Sequence, residues 1–343
     1  MPTSRTTFGT ATSPIQVIGN ATITVFNNNS TSQVPTFQNQ LTIDEGKTLT
    51  MNTGQRCKIQ GTLLGTGTMN ISFPYVRGDF SMNTAKFEGT INVTSGQFRI
   101  TAATDMSKAT FKLGAGVYAV HAQSQSGTET TLTTKIGTLS STATDCTLAS
   151  GTWNVGYLGT ASTYAGKFNA AATLNKYGNG ALTLTGQSEG KVNIHAGMVS
   201  AENTTATTSG LITVNAGGTL CGTGKVAAVT VSKNGKLAAG KPTGSTVGTL
   251  TLTGTLNVKS GAQIRVRGRG KAASTDKFCL SDKATLTSPV FVMERLSDEW
   301  LPDVDYTKED TLAVYVDYNW RDLFGRDKLL KTIPFEKRVL MLI

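Results

Sequence analysis

The sequence reads Ile194-His-Ala-Gly197-Met-Val199, then Val214-Asn-Ala-Gly217-Gly-Thr-Leu220, Val231-Ser-Lys-Asn-Gly235-Lys-Leu237 and Val258-Lys-Ser-Gly261-Ala-Gln-Ile264. Each copy has an apolar residue, a short polar stretch, a glycine and a second apolar residue. The glycines are spaced so that one unit takes about 20 residues, the length of a solenoid coil. This spacing predicts that the stretch from Thr173 to Arg267 consists of stacked coils. Five apolar residues are predicted to face the core and to stack on residues one coil away: Leu220, Val231, Leu237, Leu252 and Leu256.

The residue types within a unit suit a short strand followed by a corner. Alternate side chains of a strand face one side, and glycine tolerates the positive φ that a tight corner requires. Four further copies precede this stretch: Leu41-Thr-Ile-Asp-Glu-Gly46-Lys-Thr-Leu49, Val93-Thr-Ser-Gly96-Gln-Phe98, Leu113-Gly-Ala-Gly116-Val-Tyr118 and Leu148-Ala-Ser-Gly151-Thr-Trp153. One coil cannot bury its apolar face alone, so we predict an all-β parallel β-helix over residues 15–292.

A family resemblance adds to this prediction. The string Leu174-Asn-Lys-Tyr-Gly-Asn-Gly-Ala-Leu-Thr-Leu-Thr-Gly186, with Val192 to Val199 and Val214 to Gly224 after it, resembles the autotransporter-associated β-strand repeat. That repeat occurs in large secreted or surface proteins of bacteria, and the later run Gly261 to Gly270 resembles the segment after such repeats in Bacteroides-like surface proteins. The resemblance covers roughly residues 160–292. It implies a right-handed, single-stranded parallel β-helix outside the cell or at the outer membrane, and it brings no catalytic residues.

A second topology stays open from the residues alone. Asn234-Gly235 lies between two apolar stretches, and this dipeptide is a strong signal for a two-residue β-hairpin. An antiparallel sandwich or fibre would use it in that way. The other glycines of the unit lack the Asn-Gly or Asp-Gly pair, which favours the parallel solenoid.

The ends of the chain differ from the repeats. Residues 1–14 are interpreted as an N-terminal leader or cap, and residues 293–343 as a C-terminal cap or tail, because acids cluster there and glycine nearly vanishes. Leu312 to Trp320 alternates as one more strand, and Trp320, Leu323, Phe324 and Leu330 follow at helical spacing. Here the sequence departs from the family. An uncovered last coil would expose strand edges, so end-to-end association can occur there.

The net charge of +10 and the isoelectric point near 9.4 direct attention to cationic segments. Alternation in one strand would place four cations on one face: Arg265, Arg267, Arg269 and Lys271. They are the candidate ligand-binding residues, for a glycan or a cell-surface polymer, although a solvated outer face of a strand is the favoured explanation for them. Aromatic residues do not interleave with them, which argues against nucleic acid as the partner.

The sequence contains no phosphate-binding loop, no Gly-x-Ser-x-Gly and no His-Glu-x-x-His. We therefore expect no catalytic residues, no metal, no cofactor and no enzymatic activity. Cys57, Cys146, Cys221 and Cys279 are scattered and are expected to be buried as small apolar residues. His121 and His195 are expected to have structural or solvent-facing roles.

No apolar stretch reaches the roughly 18 residues that a membrane-spanning helix needs, so no transmembrane segment is predicted. The first residues lack an apolar signal-peptide core, so we expect that an extracellular or surface protein has its export signal outside this chain. The alternative is a cytosolic or virion protein that never had such a signal. Two functions remain as hypotheses. One is a structural or adhesive stalk or passenger segment of a secreted or surface-displayed protein; the alternative is a carbohydrate-binding or polysaccharide-lyase-like β-helix acting on an acidic glycan.

Overall fold

The computed structural model describes residues 13–25, 34–54, 56–122, 132–203, 210–241, 248–268, 277–280, 284–286, 290–295 and 340–341. These residues form short β-strands joined by turns, and none of them is helical. The strands pair in parallel with strands one coil away, so the predicted all-β parallel β-solenoid is confirmed. The chain divides into two compact units, Met1–Gly180 with Ser188–Gly190, and Ala181–Gln187 with Lys191–Ile343.

The first unit contains seventeen described strands. They are β1 (Ile15–Val17), β2 (Ala21–Val25), β3 (Thr36–Phe37), β4 (Leu41–Ile43), β5 (Thr48–Thr53), β6 (Cys57–Ile59), β7 (Leu63–Gly65), β8 (Thr68–Phe80), β9 (Thr90–Ile100), β10 (Thr104–Leu113), β11 (Tyr118–His121), β12 (Thr133–Ser140), β13 (Thr147–Leu148), β14 (Gly151–Val155), β15 (Ser162–Tyr164), β16 (Lys167–Phe168) and β17 (Ala172–Lys176).

Equivalent apolar residues of successive coils form columns in the core of this unit. Leu49 pairs with Met69, Met69 with Ile91, and Ile91 with Phe111. Each of these intervals is close to the length of about 20 residues that the glycine spacing predicted for one coil. All four side chains are fully buried, so each coil completes the apolar surface of the next.

Aromatic rings connect this column with its neighbour. The ring centroid of Phe98 lies 5.0 Å from that of Phe80 and 5.6 Å from that of Phe111. Tilted pairs at these distances are favourable arrangements for phenyl rings. The core of this unit is therefore one connected cluster across several coils.

The second unit contains fifteen described strands. They are β18 (Ala181–Leu184), β19 (Lys191–Ile194), β20 (Gly197–Ala201), β21 (Ile212–Val214), β22 (Gly218–Gly222), β23 (Lys225–Val226), β24 (Val229–Val231), β25 (Lys236–Ala238), β26 (Thr249–Leu252), β27 (Leu256–Val258), β28 (Gln263–Gly268), β29 (Lys277–Leu280), β30 (Ala284–Leu286), β31 (Val290–Arg295) and β32 (Leu340–Met341).

The second unit has the same construction with a more variable coil length. Val199 pairs with Leu220, Leu220 with Leu237, and Leu237 with Ile264. The coil between Leu237 and Ile264 is much longer than the coil between Leu220 and Leu237. The residues predicted to face the core are at most 1% exposed, which confirms their register: Leu220, Val231, Leu237, Leu252 and Leu256.

The hairpin alternative at Asn234-Gly235 is wrong. β24, before this dipeptide, pairs in parallel with β21 and β27, whereas β25, after it, pairs in parallel with β22 and β28. The chain therefore turns a corner between two stacks at this point. The expectation that Gly235 takes the positive φ of this corner is wrong, because Asn234 takes it instead, at 62°, a conformation that asparagine tolerates.

The other predicted corners use glycine as expected. Positive φ occurs at seven of the eight pattern glycines: Gly46, Gly96, Gly116, Gly151, Gly197, Gly217 and Gly261. At Gly96 a Cβ would also overlap the backbone of Phe73 one coil below. Glycine is therefore required there both by conformation and by close approach.

His121 is fully buried and hydrogen-bonded on both sides of its ring. Nδ1 lies 2.8 Å from the Ser150 carbonyl oxygen, and Nε2 lies 2.8 Å from Thr134 Oγ1. The ring packs on Trp153 with centroids 4.3 Å apart. A Cβ at Gly151 would overlap Nδ1. This geometry assigns His121 a structural role, as the sequence predicted.

Three cysteines also match their prediction. Cys57, Cys146 and Cys221 are buried and free of disulfide bonds. Burial raises the pKa of the Cys57 thiol to about 12, with Thr53 opposing the shift through a hydrogen bond and Asp79 adding to it. The side chain of Cys279 lies outside the described residues.

A lysine occupies a core-facing position at the end of β17. Lys176 pairs with Val155 of β14, and both side chains are 1% exposed. Its Nζ donates hydrogen bonds to the carbonyl oxygens of Tyr177 and Gly178. Burial lowers the pKa of Lys176 to about 8, because the ammonium loses its hydration.

The predicted domain boundaries at residues 14 and 292 stay predictions. The expected strand at 312–320 and the helical spacing at 320–330 lie outside the described residues. Over the part of the chain that the structure describes, no helix has the length and apolar character needed to cross a membrane.

Candidate functional site

A column of threonines follows the outer face of the first unit. In-register pairing across β5, β8, β9, β10 and β12 places these residues directly above one another: Thr48, Thr68, Thr90, Thr110 and Thr138. Each one precedes a core residue such as Leu49 or Phe111, so strand alternation turns the threonine outward. The first four are half-buried, whereas Thr138 is only 9% exposed. The first four threonines of the column therefore present hydroxyl groups at a regular spacing of about 4.8 Å, the distance between neighbouring strands.

Hydrogen bonds between equivalent side chains order this outer face. Asn92 Nδ2 donates to Asn70 Oδ1 at 3.0 Å, and the hydroxyls of Ser72 and Ser95 are 2.9 Å apart. Thr138 Oγ1 lies 2.6 Å from Thr160 Oγ1. Stacks of like polar side chains in parallel register support one another in this way.

A second row of polar residues runs along the same unit. Asp105 of β10 pairs with Lys135 of β12, Lys135 with Asn154 of β14, and Asn154 with Asn175 of β17. Asn175 Nδ2 donates to Asn154 Oδ1 at 2.8 Å. Lys135 Nζ lies 3.7 Å from an Asp105 carboxylate oxygen. The row therefore combines one ion pair with one amide ladder.

The environment of Asp105 keeps its carboxylate ionised. Partial burial acts to raise its pKa, but hydrogen bonds from Ser107 and the charge of Lys135 hold the pKa below its ordinary value. The Ser107 backbone N–H donates to Oδ1 at 3.0 Å. Asp105 thus acts as a hydrogen-bond acceptor at neutral pH.

Two stacked tyrosines lie beside this row. The rings of Tyr157 and Tyr177 have centroids 5.3 Å apart and planes inclined by 24°. Tyr157 is 39% exposed, and its neighbour Leu158 is 44% exposed. Burial raises the pKa of Tyr157, as do Tyr177 and Asp105, while a hydrogen bond with the Asn154 side chain opposes the shift. We call the row of Asp105, Lys135, Asn154 and Asn175, together with Tyr157 and Tyr177, the tyrosine–amide surface.

The cations predicted as a binding site are only partly described. Arg265 lies in β28, half-buried, in register with Ala238 and Val292. Arg267 lies in the same strand opposite Glu294, and its side chain is outside the described set. Arg269 and Lys271 lie outside the described residues altogether. The cationic site therefore stays a prediction.

The described carboxylates of the second unit include one that is held by three neighbours. Ser200 Oγ and Thr223 Oγ1 each donate to Glu202 at 2.6 Å, and Lys241 Nζ lies 3.9 Å from the same carboxylate. These contacts join successive coils at a corner. Among the described residues, no three His, Cys, Asp or Glu side chains are placed to hold a metal ion.

Neither a protein-family model nor a curated protein sequence matches this chain. The resemblance to the autotransporter-associated repeat thus stays an expectation from the residues that carry it.

The sequence reasoning missed the tyrosine–amide surface. The sequence does contain a pattern that indicates this surface, since Trp153-Asn154 and Leu174-Asn175 both place an asparagine directly after a core residue. Aligning these two coils would have brought the asparagines together and the tyrosines close behind them. Asp105 and Lys135 were harder to find, because the coil that joins their strands contains extra residues.

Proposed function

We propose that this chain is a structural and adhesive segment of a secreted or surface-displayed bacterial protein. The observation that carries the proposal is the in-register threonine column over a continuous apolar core. Such a surface is repetitive and polar, and stacked coils hold it in place at every level. These properties suit a segment that extends from a cell and binds another surface through many weak contacts.

The adhesive part of the proposal rests on multiplicity. A single exposed hydroxyl binds weakly, because each hydrogen bond to it replaces one with water. Several hydroxyls at fixed spacing act together, since binding of the first one raises the effective concentration of the rest. A regular column can therefore adhere where one site could not.

The test compares adhesion of the purified chain with that of a variant carrying Thr68→Val, Thr90→Val and Thr110→Val. Valine keeps the branched shape and the β propensity but removes the hydroxyl. Beads coated with each protein are washed over surfaces of polysaccharide and of extracellular-matrix protein. We expect retention of the native chain and loss of retention by the triple variant at an unchanged melting temperature.

The matched control carries Thr213→Val and Thr230→Val, which change an outward threonine pair of the second unit that is also in register. Equal loss of retention in both variants would contradict a role for the column. Absence of retention of the native chain on every surface would overturn the adhesive function. Release of unsaturated products from polygalacturonate, followed by absorbance, would replace it with the lyase alternative.

A further inference from the structure

We propose that the tyrosine–amide surface binds a neutral polysaccharide chain along the direction in which the coils stack. The inference goes beyond the adhesive function by assigning a ligand to a second surface, and it rests on that function only for its biological setting. It is argued from the aromatic pair, the polar row and the balance of charges within this surface.

The aromatic pair supplies the apolar part of such a site. Among the described residues, the exposed large apolar side chains are Ile18, Tyr118, Tyr157, Leu158 and Leu211. Two of these five are consecutive here, so apolar exposure is concentrated at this point. The ring of Tyr157 has an apolar body and a polar hydroxyl. A pyranose ring has the matching character, with C–H groups on its faces and hydroxyls around its edge.

The polar row supplies the hydrogen bonds. An amide offers two donors and an acceptor with two lone pairs, so Asn154, which accepts from Asn175 in the ladder, can bond a ligand at the same time. Asp105 contributes an acceptor and Lys135 a donor. Direct register places one of these groups in each coil, about 4.8 Å from the next. A polymer of repeating sugars can engage these groups one after another.

Charge balance favours a neutral ligand. The carboxylate of Asp105 and the ammonium of Lys135 face each other at 3.7 Å, so their charges largely cancel at a distance. The remaining members of the surface are uncharged amides and phenols. An acidic polymer would gain no net attraction from these groups themselves, whereas the hydroxyls of a neutral glycan find both donors and acceptors among them.

The experiment is affinity electrophoresis of the full chain in native gels that contain a soluble β-glucan, mannan or xylan, compared with gels that contain none. We expect retardation in at least one of these gels. Tyr157→Ala and Tyr177→Ala should each weaken it about tenfold, the loss that one good aromatic contact accounts for. Tyr157→Phe keeps the ring and should retain most of the binding.

The matched control is Tyr118→Ala, which removes a tyrosine of similar exposure, 37%, that is not part of this surface. It should bind like the native chain. Melting temperatures separate lost binding from lost folding, and Tyr157→Phe provides a folded variant if Tyr157→Ala is unstable. The inference is overturned if no neutral polysaccharide retards the native chain, or if the Tyr118 and Tyr157 variants behave alike.

The two proposals fail separately. If the native chain adheres through the threonine column but shows no retardation in neutral gels, the ligand assignment is wrong and the adhesive function stands. If it is retarded in neutral gels but does not adhere as beads, the adhesive function is wrong and the glycan site stands. Retardation by acidic polymers alone that survives Tyr157→Ala would also overturn the site.

Discussion

Replacing the buried lysine, as Lys176→Met, sets two energies of similar size against each other. Lowering the pKa of Lys176 from 10.5 to about 8 corresponds to about 3 kcal/mol of unfavourable burial at neutral pH, at 1.36 kcal/mol per unit. Methionine removes this cost but also removes the donor that Nζ provides to the carbonyls of Tyr177 and Gly178, a loss of about 1–3 kcal/mol for each carbonyl. The loss at the two carbonyls should be slightly larger than the cost that methionine removes. We expect Lys176→Met to lower the free energy of unfolding at pH 7 by about 1 kcal/mol.

The pH dependence of this difference is the sharper test. The pKa of Lys176 is lower in the folded chain than in the unfolded chain, so between about pH 8 and about pH 10.5 the unfolded state binds more protons. Stability of the native chain therefore gains from this group as pH rises through that window. The variant lacks the group. The free energy of unfolding of the native chain minus that of the variant should therefore increase by about 2.5 kcal/mol from pH 7 to pH 10.

The assay is urea unfolding of both chains at pH 7, 8.5 and 10, followed by circular dichroism. Other titrating groups are shared by the two chains and cancel in the difference. The control is Lys108→Met. Lys108 is exposed and hydrogen-bonded to Glu88 at 2.8 Å, which raises its pKa above the ordinary value of 10.5. Its contribution to stability is lost only above that value, so the difference in free energy of unfolding between the native chain and Lys108→Met should stay nearly constant from pH 7 to pH 10. The reasoning would be refuted if the difference in free energy of unfolding between the native chain and Lys176→Met stays constant or decreases as pH rises. The carbonyls would then stabilise the charged form of Lys176 at least as much as burial destabilises it.

Three further substitutions test the fold. Gly151→Ala should melt at a lower temperature than Gly46→Ala in scanning calorimetry, because both glycines have positive φ but only at Gly151 would a Cβ overlap the His121 ring; equal melting temperatures would contradict this. The pKa of Cys57 is raised from 9.0 to about 12, so the folded chain keeps a proton that the unfolded chain loses, and stability falls as pH rises above about 9. Cys57→Ala should lose less stability than the native chain between pH 8 and pH 10, and parallel losses in urea midpoints would show that the thiol is not buried in solution. Leu252→Ala should cost about 2–5 kcal/mol in urea unfolding, and a change within error of zero would mean that this position does not face the core.

The parts of the fold that follow from local rules could be predicted from the sequence. Alternation determines which residues face inward, so Leu220 and Leu237 were assigned to the core correctly. Corner glycines such as Gly96 could be identified from the sequence, because few other residues accept positive φ. At Asn234-Gly235 the repeat unit predicted a glycine corner, but both residues accept positive φ and the asparagine takes it. The same dipeptide is typical of a hairpin, which is why the sequence alone left that alternative open.

The outer surface was harder to predict than the core. A surface row depends on which residues of different coils come into register, and coil length is not constant. Asp105 pairs with Lys135 and Asn154 pairs with Asn175, yet the first interval along the chain is much longer than the second. No local rule relates those intervals. Alternation assigns each side chain to a face but does not identify its neighbour on that face.

The variation in coil length has a consequence for how such a chain can change over generations. Leu237 reaches Ile264 through a much longer coil than the one that joins it to Leu220, yet all three remain buried in one column. Insertions at a corner therefore alter the surface there without reversing the faces of any strand, whereas one extra residue within a strand would expose its core side chains. In-register positions such as Met69 and Ile91 are equivalent points of recombination, because an exchange between them adds or removes a whole coil and preserves the alternation on both sides. Whole coils can therefore be gained or lost one at a time, so the protein changes in length while the alternation of core residues is kept.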